Sequence, residues 1–421
     1  MTKIYTHSVP LAADMVDAFC VLQKGFTDQF VYYDKARACR LMGLGRCIAV
    51  SSLAETEYEP SGPVALPPFF FSFHRFDANN PQPADDLFAA FPHLALMLPE
   101  VVLVEDERGI FLQVNSLGPV YAGRVERFLK QVANAPKRQR VSVSFSLEPD
   151  SFEAWSDVVE ASLSAIKAGR VRKVVPSRRR FLKAEHPFSS RDVLVNLLDG
   201  PARGTVVLYR YGDVFFCGCT PELLVRKRGV QVESMCLAGT CSAGADRQER
   251  DGNARALLHD QKNLREHAHV VDFIREVFSR VCYDVALPSS PGILPLQHIQ
   301  HLFTPVTARL LDGVTLEDLC SQLHPTPALC GAPVGESLML IRRIEAYNRG
   351  FFGGACGYVD GDGNGEFSVA IRSGVFDGEI GWVYAGCGIV AGSDARSEYD
   401  EIDLKLQTIL TAFDGEGVFH A

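Results

Sequence analysis

The sequence predicts an α+β protein whose β-sheets are mostly antiparallel. Segments that resemble strands and segments that resemble helices occur in separate runs along the chain, which favours antiparallel sheets over repeated βαβ units. With 421 residues, of which 47% are hydrophobic, the chain is also long enough to bury a large core.

The first third of the chain is predicted to begin with helices and to continue with strands. Residues 1–50 are expected to be rich in helix, and residues 64–125 are expected to be strands. The segment 110–116, IFLQVNS, alternates with the period of two that is typical of a strand. The polar segment 130–140 is the best candidate for a domain boundary, although a loop inside one domain fits it equally well.

The rest of the chain gives a clearer pattern. A helix is expected over 151–169, because Ser151 can cap it and an apolar stripe follows. The segment 173–182 reads as a strand in which Pro176 indicates an edge or a bulge. Long helices are expected over 255–281 and 336–350. Residues 353–390 read as consecutive strands joined by the hairpin turns DGDGNG and DGEIG.

Charge and composition exclude several classes of function. The formal net charge is -9 and no long run of Lys or Arg occurs, so we expect no nucleic-acid partner. Local basic residues can still attract a small anionic substrate. No apolar stretch is long enough to predict a membrane helix.

Cysteine usage and the first residues indicate a cytoplasmic location. The 12 cysteines include no C-x-x-C pair, and most lie among apolar or glycine neighbours, where a free thiol acts as a small hydrophobic side chain. The N-terminal segment lacks a basic region followed by an apolar run, so we expect no secretory signal. Together these features predict a soluble protein of a reducing compartment.

Several ionisable or small residues of the second half are candidates for a site. Lys173 begins a strand, and Glu222 follows a proline at the start of another, so each has an ordinary structural interpretation as well. Arg372 lies in an apolar strand, and a buried arginine requires an anionic partner from the protein or from a ligand. Gly386 and Gly388 lie within a strand, where glycine often permits the close approach of a ligand.

Three glutamates on two predicted helices suggest a magnesium site. Glu266 borders the apolar face of the helix over 255–281, while Glu398 and Glu401 share one face of a helix near the C-terminus with Lys405. Carboxylate oxygens without soft ligands suit Mg²⁺. The alternative is that this charged helix face only meets water, and sequence spacing alone does not show that the glutamates converge.

Seven segments then establish a resemblance to a known family. In chain order they are KVVPSR, TPELLVRK, LAGT, KNLREHAHVV, LHPTPALCGAP, FFGGACGYVDGDGNGEFSVAIRSG and YAGCGIVAGSDARSEYDEIDLK. They resemble the signature segments of the chorismate-utilising enzymes, which include isochorismate synthase, anthranilate synthase component I, aminodeoxychorismate synthase and salicylate synthase. The resemblance covers residues 150–410, whereas residues 1–150 correspond to the variable half of the family.

Two of these segments distinguish members within the family. Common aminodeoxychorismate synthases carry a lysine before the GT of the central motif, and here Ala238 stands in that place. The segment LHPTPALCGAP resembles the form found in isochorismate synthases and not the form found in anthranilate synthases. The resemblance therefore implies an isochorismate synthase, with salicylate synthase and anthranilate synthase component I as alternatives within the family.

The resemblance implies a fold, a cofactor and a role for each candidate. The expected fold is one large domain over residues 1–421, with stacked antiparallel sheets, helices outside and the active site between the sheets. The cofactor is Mg²⁺, the substrate is chorismate, and the expected state is a monomer. The implied site consists of Lys173 as general base, Glu222 as general acid, Glu266, Glu401 and Glu398 around the metal, and Thr240, His324, Arg372, Gly386, Gly388 and Lys405 as substrate-binding residues.

The chemistry explains why these residue types are needed. Chorismate is a dicarboxylate, for which Mg²⁺ and a guanidinium are suitable partners. A base must activate water for attack at C2 while an acid assists the departure of the C4 hydroxyl. A lysine can act as that base only when uncharged, so burial or neighbouring cations must favour the loss of its proton.

Two residues depart from the family pattern. Pro176 replaces an apolar residue, and we expect it to disturb the strand that carries Lys173. Asn263 replaces a frequent aspartate. Neither change removes a catalytic group, so activity is expected to survive. A non-catalytic chorismate-binding regulator would be expected to lack at least one of the implied catalytic or metal-binding groups, and all are present. The sequence leaves open whether the product serves menaquinone, a catechol siderophore or salicylate.

Overall fold

The computed structural model describes residues 1–37, 40–80, 83, 86–93 and 95–413. Within this part of the chain, most strands belong to two large sheets, and neighbouring strands are antiparallel except for one parallel pair at an edge. A small two-stranded sheet adjoins them. The α+β prediction with mostly antiparallel sheets is thereby confirmed.

The first sheet combines strands from both ends of the chain. Its strands are β1 (Thr2–Pro10), β2 (Asp28–Asp34), β3 (Arg40–Leu44), β5 (Thr56–Ser61), β8 (Val101–Asp106), β9 (Gly109–Ser116), β10 (Phe145–Leu147), β12 (Ser177–Ala184), β13 (Thr205–Tyr211), β14 (Val214–Thr220), β23 (Ser373–Asp377) and β24 (Ile380–Gly386). Their spatial order is β10-β12-β24-β23-β14-β13-β2-β3-β8-β9-β1-β5. The N-terminal strands thus extend the same sheet as the later ones.

The second sheet consists mostly of later strands. Its strands are β4 (Ile48–Val50), β6 (Phe69–Phe73), β7 (Leu96–Leu98), β15 (Leu223–Arg228), β16 (Gln231–Ser242), β17 (Cys282–Ala286), β18 (Gly292–Pro295), β19 (Ile299–Leu310), β21 (Ala355–Asp360) and β22 (Gly365–Val369). Their order is β17-β19-β16-β15-β22-β21-β6-β7-β4, with β18 paired to β19. The small sheet pairs β11 (Lys173–Val174) with β20 (Gly331–Ala332).

The helices flank the sheets. They are α1 (Met15–Leu22), α2 (Ala122–Val132), α3 (Phe152–Lys167), α4 (Ser190–Asp199), α5 (Arg247–Leu257), α6 (Gln261–Val281), α7 (Leu316–Leu323), α8 (Val334–Ile344) and α9 (Ala395–Leu410). Helix α6 packs on β16, and α9 packs on β24 and α3. None of the helices in the described ranges is both long enough and apolar enough to cross a membrane.

The two large sheets stack through a layer of aromatic rings. Phe30 of β2 stacks on Phe71 of β6 with ring centroids 5.4 Å apart. Tyr32 of β2 meets the ring of Tyr358 of β21 edge-on at 5.3 Å. Offset and edge-on ring pairs add to the hydrophobic gain from burial. These contacts join the N-terminal strands to the strands that carry the later sequence motifs, so residues from both halves of the chain pack in one cluster of buried side chains.

Several expectations about secondary structure were wrong. The helix expected over 336–350 is α8, which ends at Ile344 because Glu345 has an extended backbone. Residues 1–50 are mainly strands. One of them, β2, is buried on both faces, so its sequence lacks the alternation of apolar and polar residues that identifies a strand.

The helix expected over 255–281 is two helices, since α5 ends at Leu257 and α6 begins after Asp260. The Asp260 side chain caps α6 by accepting from the Asn263 N–H.

Pro176 divides the strand expected over 173–182. β11 ends at Val174 and pairs with β20, whereas β12 begins at Ser177 and pairs with β24 of the first sheet. Proline has no N–H to donate to a neighbouring strand. Pro176 therefore marks the point at which the chain leaves the small sheet and enters the large one.

Candidate active site

A cavity lies where the two large sheets face each other. Its walls come from β16 and β19 of the second sheet and from the end of β24 of the first, with α6 and α9 beside them. It encloses about 650 Å³ of space that protein atoms do not fill, including solvent at its mouth. The predicted site residues that line it are Glu222, Thr240, Glu266, Arg372, Gly386, Gly388 and Lys405.

Lys173 lies directly behind the part of the cavity wall that Glu266 forms. Its side chain is fully buried, and its Nζ is 3.1 Å from Oε1 of Glu266, which does line the cavity. The contact lacks the geometry of a hydrogen bond, and among the described residues Nζ has no hydrogen-bond partner. A buried amine in this situation is available to a water molecule or a ligand.

Gly388 leaves the space in which the lysine and the glutamate meet. A Cβ atom at this position would lie 2.1 Å from Oε1 of Glu266 and 2.9 Å from Cε of Lys173. Any larger residue would therefore displace one of these side chains. The sequence analysis placed Gly388 within a strand, but it lies two residues after the end of β24 at Gly386. Its lack of a side chain is required by the packing of Lys173 and Glu266.

Glu222 is a buried carboxylic acid in the cavity wall. It lies just before β15, at the turn that follows β14. Burial raises the pKa of Glu222 to about 7, although Lys173, Arg372 and Lys405 act to lower it. A carboxyl group with such a pKa can hold a proton near neutral pH and deliver it to a leaving group.

Helix α9 carries Glu398, Glu401 and Lys405, and Lys405 lines the cavity. Glu398 is buried, and its Oε1 lies 2.5 Å from Nζ of Lys262 on α6. Glu401 Oε1 lies 2.5 Å from Nζ of Lys405, which also donates to the carbonyl of Gly386 at 2.9 Å. The acidic face of this helix therefore contacts the protein interior.

These carboxylates influence one another. Burial and the neighbouring Glu401 raise the pKa of Glu398, despite its ion pair with Lys262. Burial opposes ionisation of Glu401 too, but Lys405, Lys262 and a hydrogen bond from Thr240 hold the pKa of Glu401 below its usual value. The site thus concentrates negative charge that cations must balance.

Lysines provide that balance in the described structure. Glu266, Glu398 and Glu401 are each paired with one ammonium group. In the described ranges, no three His, Cys, Asp or Glu side chains are grouped closely enough to hold a metal ion. The donor chemistry nevertheless suits a hard divalent cation, since all three groups are carboxylates and each already binds a cation.

Arg372, which the sequence analysis placed in a strand, lies in the connection between β22 and β23 and supplies a buried positive charge there. Its backbone has φ +54, an unusual conformation for a residue other than glycine. Burial lowers the pKa of Arg372 to about 10, so its guanidinium remains charged at neutral pH. Such strained backbone positions are common at functional sites.

His301 is a site residue that the sequence analysis missed. It lines the cavity from β19, and its Nε2 accepts a 3.2 Å hydrogen bond from Nη2 of Arg372. Nδ1 lies 3.0 Å from the hydroxyl of Thr240. Burial, with Arg372 and Lys405 nearby, holds the pKa of His301 well below its usual value. A neutral imidazole orients the guanidinium without cancelling its charge.

A signal for His301 exists in the sequence. Strand β19 alternates between exposed and buried residues from Pro305 to Leu310, whereas Gln300 and His301 are both polar and both buried. Two polar residues that interrupt the start of an alternating strand are candidates for a site. The alternation indicates the strand, but the partner on another strand is visible only in the fold.

The expectation that His324 lines this cavity is wrong. Its Nε2 lies 3.3 Å from the carbonyl of Arg75, and its ring meets the edge of Phe76. It contributes to a separate cavity beside α7, formed with residues 73–79. The ring of Phe76 lies between His324 and Arg349. Of these two residues, it is Arg349 that lines the cavity between the two large sheets.

The raised pKa of Glu222 predicts a pH-dependent stability difference. Between about pH 4.5 and the pKa of about 7, the folded protein keeps a proton that the unfolded chain releases, so this stabilisation is lost as pH rises. Glu222→Gln removes the loss and should be more stable than the wild type by up to about 3 kcal/mol at pH 8, with little difference at pH 5. Denaturant titrations at both pH values measure it.

The matched control for this prediction is Glu160→Gln, which changes an exposed glutamate on α3. This control should show no such dependence on pH. A stability difference between Glu222→Gln and the wild type that is the same at both pH values would contradict the prediction.

Comparisons with known proteins identify the family of this chain. The family model for chorismate binding enzyme matches residues 49–414. The isochorismate synthase MenF of Bacillus subtilis (strain 168) is 34% identical over 362 residues, which cover 84% of this chain and 76% of that protein. The salicylate biosynthesis isochorismate synthase of Pseudomonas aeruginosa is 32% identical over 368 residues, which cover 85% of this chain and 76% of that protein.

A solved structure matches the fold as a whole. The menaquinone-specific isochorismate synthase MenF from Escherichia coli superposes with a TM-score of 0.81 at 22% identity, and the match covers 98% of this chain and 95% of that one. The stacked sheets with helices outside are therefore the fold of that protein as well. Because the family model matches most of the chain, and relatives more than 30% identical span over two thirds of it, the chain belongs to the family of chorismate-binding enzymes.

Proposed function

We propose that the protein is an isochorismate synthase, an isomerase that converts chorismate to isochorismate in the presence of Mg²⁺. The observation that carries this proposal is the pair of groups at one cavity: a fully buried amine, Lys173, and a carboxylic acid with a raised pKa, Glu222. The names of the two curated relatives described above support the same reaction.

The proposed reaction replaces the hydroxyl at C4 of the ring by a new hydroxyl at C2. Lys173, once its ammonium form has lost its proton, takes a proton from the water that attacks C2 of chorismate. Glu222 gives a proton to the C4 hydroxyl, which leaves as water while the ring double bonds shift. One water enters and one leaves, so atoms balance, and Lys173 and Glu222 return to their starting protonation states by exchange with solvent.

Arg372 and its neighbours are proposed to bind a carboxylate of the substrate. The guanidinium is buried, charged and held by the neutral His301, so its charge remains available to an anion. Thr240, Lys405 and the backbone at Gly386 and Gly388 complete the wall on this side. A substrate carboxylate bound there would take the place of the water that the buried guanidinium of Arg372 otherwise needs.

Glu266 and Glu401 are proposed to hold Mg²⁺, with Glu398 beside them. The support is the chemistry of the donor set, which consists of oxygen ligands that already bind ammonium groups. When bound, the cation would neutralise a substrate carboxylate and help to orient the ring. Lys405 and Lys173 would then exchange part of their present contacts with Glu401 and Glu266 for contacts with substrate or water.

The remaining expectations are proposals as well. A single domain over residues 1–421 is supported by the N-terminal strands that extend the first sheet and share its aromatic core with later strands. A cytoplasmic location and a monomeric state remain predictions from the sequence and the family resemblance. The functions of the neighbouring genes would identify whether the product is used to make menaquinone, a siderophore or salicylate.

The direct test is product analysis. The purified protein is incubated with chorismate and Mg²⁺, and products are separated by liquid chromatography with absorbance and mass detection. Isochorismate as the accumulated product supports the proposal. Salicylate with pyruvate would instead identify a salicylate synthase, and anthranilate formed with ammonia would identify an anthranilate synthase. Binding of chorismate without conversion would identify a non-catalytic relative.

Lys173→Ala should abolish turnover and largely preserve binding. The loss of a general base is expected to reduce kcat by about 10²–10⁴-fold, while the dissociation constant of chorismate measured by calorimetry changes little. Lys183→Ala, which removes an exposed lysine further along the chain in β12, is the matched control and should retain full activity. Near-normal turnover in Lys173→Ala would show that another group is the base.

Glu401→Gln should weaken the dependence on Mg²⁺. Replacing a charged oxygen ligand by a neutral one is expected to raise the Mg²⁺ concentration for half-saturation by about 10–100-fold, measured by calorimetric titration as well as by activity. Asp400→Asn changes the exposed neighbour on the same helix and provides the control. If both variants titrate like the wild type, Glu401 is not a metal ligand.

A further inference from the structure

A buried ion pair beside the cavity has no role in the reaction described above. Nε of Arg349 donates to Oε2 of Glu345 at 2.9 Å, and its Nη2 donates to Oε1 at 2.5 Å. The two side chains are only 3% and 2% exposed. Two charges removed from water to this extent are costly unless further hydrogen bonds satisfy them.

Those further bonds go to the backbone on either side of Pro176. Nη2 of Arg349 donates to the carbonyl of Val175 at 2.6 Å. Oε1 of Glu345 accepts from the backbone N–H of Ser177 at 2.7 Å and from its hydroxyl at 3.0 Å. The carbonyl before the proline and the N–H after it are therefore both bonded to the ion pair, at the point where β11 ends and β12 begins.

The same guanidinium also reaches a second wall of the cavity. Its Nη1 donates to the carbonyl of Leu329 at 3.0 Å, and Leu329 lines the cavity. One face of the group lies over the ring of Phe76, with Cζ 4.3 Å from the centroid. These bonds use four of the five N–H donors of Arg349. Arg349 is thus occupied by the protein.

We propose that Arg349 and Glu345 are positioning residues for Lys173. They fix the chain just after Lys173 to the segment that contains Leu329, where Pro176 interrupts the strand. The side chain of Lys173 has one charged contact, with Glu266, and no hydrogen-bond partner among the described residues, so its place depends also on how its backbone is held. This inference rests on the proposed function, because it assigns the effect to the base of that reaction.

The double variant R349M/E345Q tests the proposal. It removes both charges at similar volume, so no uncompensated charge is left in the core. We expect kcat for chorismate to fall by about 30-fold or more while KM changes by less than about threefold, since displacement of a reacting group by about 1 Å costs up to about 10²-fold. The pH dependence of kcat should also move, which a loss of stability alone would not cause.

A matched control removes another buried ion pair. R226M/E366Q acts on the pair between β15 and β22, which does not touch the Lys173 strand. It should lower the unfolding temperature but leave kcat, KM and the pH profile of the folded protein within about twofold of the wild type. Circular dichroism fixes a temperature at which both double variants are folded.

A second measurement is independent of chorismate. Lys173 is acetylated with acetic anhydride, and the rate is followed by peptide mass spectrometry. The rate should rise by about fivefold or more in R349M/E345Q, because a less firmly held segment exposes the buried amine more often. It should stay unchanged in R226M/E366Q. This result would support the positioning role even if the wild type forms no isochorismate, in which case only the proposed function fails.

The proposal is overturned if folded R349M/E345Q keeps the kcat, pH profile and Lys173 acetylation rate of the wild type. If this double variant does not fold, Arg349→Lys is used. It keeps the charge but presents a single ammonium in place of the planar fork that joins Val175, Leu329 and Glu345. Wild-type values of all three quantities in Arg349→Lys would equally overturn it.

Discussion

The burial of the Lys173 amine is the constraint on which the site depends. A fully buried ammonium needs a counter-charge, and Glu266 provides it at 3.1 Å from another element. The meeting of the two groups requires the absence of a side chain at Gly388. The same positive charge acts on Glu222, whose burial keeps its proton at a pH where an exposed glutamate has lost it. Base, counter-charge and acid thus form one electrostatic unit.

The stacking of the two sheets makes this unit possible. Residues of β16 and β19 face the end of β24, and helix α6 brings Glu266 to the same cavity while α9 brings Lys405. Most of the charged side chains there are buried, so each charge acts strongly on the others. The aromatic layer between Phe30, Phe71 and their neighbours holds the sheets at a fixed distance. The N-terminal strands therefore support a site to which they contribute few side chains.

Several polar groups act by holding others. His301 binds the guanidinium of Arg372 as a neutral acceptor, which preserves the charge that a substrate carboxylate needs. Arg349 and Glu345 satisfy the backbone at the Pro176 break. The proline that departs from the family pattern therefore does not loosen the structure around Lys173, because the groups it leaves unpaired have other partners. Its effect is to separate two strands that belong to different sheets.

The sequence by itself determined the α+β class, the hairpins of residues 353–390 and seven of the residues that line the cavity, because periodicity, turn residues and the order of family segments are local properties of the chain. It failed for β2, whose two buried faces remove the alternation that identifies a strand. It failed also at His324 and His301, because which histidine reaches the cavity depends on contacts between residues far apart in the chain. Only the tertiary structure decided that Lys173 meets Glu266, that three lysines balance three glutamates, and that Arg349 joins two walls of the site. Those facts arise from packing between distant segments, which no local pattern encodes.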